Sequence, residues 1–168
     1  MPRFRFPPDP TRPVPRAAVD QITRRDEALA VIALAVTQPL IDETIVLVLD
    51  DHRRGSVITA VTGTHDADDL LRVVDIFAAA SELRPCSHLV LASVRPARPA
   101  GPDYIDRWEH VSNRAVQHGI IVDEWFIIDP EGATSMRSRQ RCEPGRRTGS
   151  AVPAVAPDVS NSTGERTD

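Results

Sequence analysis

Thr44–Leu49 reads Thr-Ile-Val-Leu-Val-Leu, a β-branched and aliphatic run with no charge in it. Such a run is a strand, and its lack of polar alternation says that both faces are covered. Ser87–Ala92 reads as another buried strand and Ile120–Ile128 as a further one. A chain with such strands must place layers on the two faces of a sheet. Between them lie the segments that supply those layers.

Ala17–Thr37 has helical spacing, with Ile22, Leu29, Ile32, Ala33 and Val36 on one side, and Pro39 bounds it. Asp50–Gly55 is a polar turn, and Ser56–Thr62 returns as a strand, so Thr44–Thr62 is expected to form a hairpin. Gly63-Thr64-His65-Asp66 opens a second helix, capped by Thr64 or Asp66, with Leu70, Val73, Val74 and Phe77 as its apolar stripe. That helix is a crossover between the Ser56–Thr62 and Ser87–Ala92 strands, which would let them lie parallel. Pro102 suits the first position of a third helix, running to about His118, and Gly119 suits its C-cap. Asp129–Gly132 is a turn by composition, followed by a short strand, Ala133–Met136. The expected fold is α/β: a single domain with a mixed sheet flanked by helices, over residues 17–137.

The ends differ in composition. Met1–Pro15 carries Pro2, Pro7, Pro8, Pro10, Pro13 and Pro15, which excludes a helix or a central strand. Residues 138–168 are rich in Arg, Ser, Thr, Pro and Gly and nearly free of large apolar side chains. Segments 1–16 and 138–168 are therefore expected to be disordered. All 20 basic residues are arginine, and the net charge is −4. That balance argues against a nucleic-acid coat, although the arginine-rich ends could touch phosphate or an acidic partner. Cys86 and Cys142 form no metal or disulfide pattern. No apolar h-region precedes residue 17, and the longest apolar run, Ala28–Val36, is too short to span a bilayer. The expectation is a cytoplasmic protein without a membrane segment.

Four fragments carry a resemblance. They are Leu47–Asp50 with its polar turn, Val61-Thr62-Gly63-Thr64, Leu89–Pro96, and Gly119–Ile128 followed by Ser135. In this order and spacing they resemble the RadC-like bacterial branch of the JAB/MPN metallo-isopeptidases, a cytidine-deaminase-like fold, over roughly residues 22–137. Active members hold a zinc with two loop histidines and an aspartate from the following helix, and a glutamate serves as general base. Three protein ligands and an open water position are the usual logic of a hydrolytic zinc. On this chain the two histidines fall on Ser93 and Arg95, and the glutamate falls near Ile58 or Thr59. The late-strand histidine falls on Glu124, and only Asp103 is kept. The resemblance thus implies a site that has lost its metal chemistry, with Arg95 or Arg98 pairing with Asp103 and filling the metal position.

Spacing constrains the other candidates. Cys86 and His88 would share one side of a strand, but two ligands make no site. His110 and His118 stand about two turns apart on one helix and cannot share an ion. Asp103 and Asp106 sit at i,i+3, the spacing of an acid/base pair or of two helix-start charges. Ser93 has no evident base in its local sequence. Glu124 either points inward, where it needs a partner such as a loop arginine, or faces water from an edge strand.

The reading that follows is a catalytically inactive JAB/RadC-like domain acting as a binding or scaffold module, with no cofactor and no catalytic residue. Its cleft would be edged by Arg95, Arg98, Asp103 and Glu124 and would bind an unidentified protein or a small anionic ligand. One alternative is a zinc-dependent isopeptidase or peptidase with altered ligands. Another is an accessory of DNA repair that contacts nucleic acid through its arginine-rich ends.

Overall fold

The computed structural model describes residues 3–9, 11, 13–64, 67–81, 86–97 and 104–137. In chain order the elements are β1 (Arg3–Phe4), α1 (Arg25–Ala33), β2 (Glu43–Leu49), β3 (Gly55–Thr62), α2 (Ala67–Ser81), β4 (His88–Val94), α3 (Tyr104–Gln117), β5 (Ile121–Asp129) and β6 (Gly132–Ser135). The strands form one mixed sheet in the order β1-β6-β5-β4-β2-β3. β4 and β5 pair in parallel, and every other neighbouring pair is antiparallel. None of the helices described is long and apolar enough to cross a membrane.

The apolar runs sit where continuous hydrophobicity requires, in the middle of the sheet. β2 is buried along its whole length, and β4 is buried except at His88. Alternate residues serve opposite faces. Val46, Val48, Leu89, Leu91, Trp125 and Ile127 meet α2 and α3. Ile45, Leu47, Val90, Ala92, Phe126 and Ile128 meet α1. Trp125 and Phe126 are thus neighbours in sequence that anchor different layers, each fully buried.

Three expectations are corrected. The first helix is much shorter than Ala17–Thr37. Residues 18–22 are drawn instead onto the turn end of the β2–β3 hairpin, where Ala18 N donates to Gly55 O and Ile22 N donates to Arg53 O. α1 begins only where Glu27 accepts hydrogen bonds from the amides of Thr23 and Arg24. Second, β3 and β4 do lie parallel in direction as expected, but they are not paired, because β2 lies between them and pairs with both. The parallel neighbours are β4 and β5, joined by α3. Third, the proline-rich N-terminus contributes β1, whose Arg3 and Phe4 pair with Thr134 and Ala133. A sheet edge is where a chain interrupted by proline can pair. Residues 138–168 lie outside the described residues.

Candidate functional site

Of the residues singled out in sequence, the described ones do not gather in one place. Ser93 and Arg95 stand at the C-terminal end of β4. Glu124 lies opposite Val90 near the start of β5, whereas Arg95 N donates to Ile128 O. Four residues of strand separate those levels, about 13 Å at the usual rise. The expectation that Arg95 and Glu124 edge a common cleft is therefore corrected. Arg98 and Asp103 lie outside the described residues.

Ser93 is buried on the α2/α3 face, and its Oγ accepts a hydrogen bond from Trp125 Nε1 at 3.1 Å. Beside it on β2 is Thr44, whose hydroxyl is 2.9 Å from that of Thr64. Tyr104, at the start of α3, meets Trp125 edge-on with 5.7 Å between ring centroids. The serine is thus fixed by an indole and has no base among its described partners.

Arg95 is only 3% exposed. Its Nη1 donates to Val94 O at 2.8 Å and to Glu43 O at 3.3 Å, and lies 3.9 Å from Asp42 Oδ1. Its Nε finds no acceptor among the described residues. Glu43, fully buried, accepts from the Thr37 amide and hydroxyl at 2.8 and 3.0 Å. These donors do not fit a zinc ion. One is a hydroxyl taken by an indole N–H, and the other is a guanidinium, which has no lone pair to give. Ile58 and Thr59, where the resemblance would put a general base, lie on β3, and neither carries a proton-accepting carboxylate.

At the other end of the β4–β5 pair the structure assembles a centre that sequence reasoning missed. The register slips between Leu89 and Val90, so Asp123 is an extra residue on β5. A bulge of this kind re-aims side chains. It leaves Asp123 and Glu124 together, both at least nine-tenths buried. Glu124 Oε2 lies 2.6 Å from Arg25 Nε on α1, while Oε1 accepts from the Trp125 and Arg137 amides. Asp123 Oδ1 accepts from Arg53 Nη1 at 3.1 Å, and its Oδ2 is 3.2 Å from His88 Nδ1. Arg137 Nη1 donates to the Asp123 carbonyl. Glu124 therefore does point inward, and its partner is a helix arginine rather than a loop arginine. Arg24, Arg25, Arg53 and Arg137 line a cleft of about 170 Å³ over these two acids. The only sequence signal was an adjacent acidic pair inside an apolar strand. A bulge that places both on one side leaves no mark in residue spacing.

The remaining candidates separate. Cys86 packs against the α2/α3 core, where burial raises its thiol pKa, while His88 turns to Asp123. Asp106 and His110 are exposed, and His118 lies 3.5 Å from Asp75. Compared with known protein families and curated proteins, the chain matches no family model and no curated sequence.

Proposed function

We propose that this chain is a binding module built on a JAB/RadC-like domain whose hydrolytic site has been replaced by structural contacts. The observation that carries the reading is the burial of the Arg95 guanidinium at the end of β4, against the carbonyls of Val94 and Glu43. In the resemblance this is a metal-ligand position. A permanent cation there repels a divalent ion by several kcal/mol even at an effective dielectric of ~20. In this reading Asp103, the one retained ligand type, pairs with Arg95 or Arg98.

The binding surface is the arginine-lined cleft over Asp123 and Glu124. Arg24 is paired with Asp26, and the other three guanidiniums against two carboxylates leave it net positive. It suits a carboxylate or phosphate group held bidentately, on a protein or on a small molecule. The test is a thermal-shift titration with phosphate, run beside an isopeptide-hydrolysis assay supplied with zinc. Phosphate is expected to stabilise the wild-type chain and to have much less effect on Arg53→Ala, and no turnover is expected. Turnover abolished by Asp103→Ala would establish the zinc-hydrolase reading instead.

A further inference from the structure

We propose that two copies of this chain associate through the free edges of β3, antiparallel about a two-fold axis. β3 is the last strand of the sheet. Residues 18–22 cover only its beginning, through Ala18 N to Gly55 O and the isolated Gln21–Arg54 bridge. Past that point nothing among the described residues pairs with the outer side of Ser56–Thr62. About half of these residues turn their amide and carbonyl outward, as alternation in an antiparallel ladder requires.

Natural sheets guard such edges with charge, proline or bulges. The stretch Ser-Val-Ile-Thr-Ala-Val-Thr has no charge and no proline, and its register with β2 is regular from Val57 to Thr62. Val57 and Ile58 are each 37% exposed, although both are strong strand formers. Between this edge and α1 runs an apolar groove of about 240 Å³, lined by Ile22, Val31, Leu34, Leu47 and Ile58. Leu34 stands at 71% exposure beside it.

The occupant is selected by charge order. Arg54 immediately precedes β3, and α2 opens just after it with Asp68 in its first turn, whereas Arg53 and Asp69 already face Asp123 and Arg72. Antiparallel pairing sets the start of one strand against the end of the other. A second copy therefore brings its acidic α2 start to the basic β3 start of the first, and the same contact recurs across the axis. A two-fold interface must be self-complementary in this way. The neutral middle of the strand then meets itself without like-charge repulsion, and β-branched side chains face each other across the seam.

Sedimentation equilibrium of the full chain tests this. A dimer is expected, loosened by salt. Arg54→Glu and Asp68→Arg should each weaken it by about tenfold or more, because each sets like charges together. An equimolar mixture of the two variants should restore association, since opposite charges then meet at both ends of the seam. Ile58→Lys, at an exposed position, should give a folded monomer by circular dichroism and decides the matter if the charge variants misfold. A wild-type chain that stays monomeric throughout the range, a dimer indifferent to Ile58→Lys, or folded charge variants that fail to associate when mixed would overturn the proposal.

Discussion

Glu124 shows how a buried charge is tolerated in this chain. Its two oxygens are divided between the Arg25 side chain and the amides of Trp125 and Arg137. Arg25→Met leaves the carboxylate buried and short of its cation, a change expected to cost about 2–3 kcal/mol in urea unfolding. Ser93 makes the complementary case for a neutral group. Ser93→Ala strands the Trp125 indole N–H, with an expected loss of about 1–2 kcal/mol. The variant's tryptophan emission should change if that hydrogen bond is as described. If Asp103 is the counter-ion of Arg95, Arg95→Met and Asp103→Asn should be non-additive by about 1–3 kcal/mol in a double-mutant cycle. Additive losses would separate the two residues. Asp20 gives a surface prediction. Hydrogen bonds from the Arg16 side chain and amide lower its pKa to about 2. The stabilisation is therefore present above the ordinary carboxylate range and is lost as pH falls through about 2. Carboxyl NMR should find that low midpoint, and Arg16→Ala should raise it towards about 3.9.

Gly132 ties β6 to β1. Its φ of +141° is outside the usual range of L side chains, and an added Cβ would stand 2.6 Å from the Phe4 carbonyl oxygen. Gly132→Ala is expected to cost about 1–3 kcal/mol and to release β1, seen as faster hydrogen exchange in residues 3–6. Unchanged exchange there would separate β1 from the turn. The elements were readable wherever local chemistry decided them. The runs of β2, β4 and β5, the polar hairpin turn, and Gly119 at φ +72° after α3 are all declared by residue type. The start of α1 was not. Residues 17–24 were expected to continue the helix, but the amides of Ala18 and Ile22 bond to the hairpin, a tertiary choice that propensity does not see. β1 escaped notice because two residues carry no periodicity. The acidic centre escaped because a one-residue bulge at Asp123, rather than any motif, brings its members together.

Taken as a molecule, the chain is a six-stranded mixed sheet with α1 on one face and α2 and α3 on the other. The two ends of the β4–β5 pair have different chemistry. One end holds Ser93 and Arg95 in structural hydrogen bonds, and the other gathers arginines over two buried carboxylates. The proposed loss of hydrolysis depends on the first end and the proposed anion contact on the second, so they can fail separately. Adjacent chemistry in sequence did not indicate that separation, because Arg95 and Glu124 converge only if strand register is ignored. The central proposal is that a fixed guanidinium stands at what the resemblance makes a metal-ligand position. Its most direct test is the zinc content of the full chain, purified without chelator, equilibrated with excess zinc and dialysed. The account predicts no zinc above the buffer blank, whereas one zinc per chain, lost on Asp103→Ala, would contradict it.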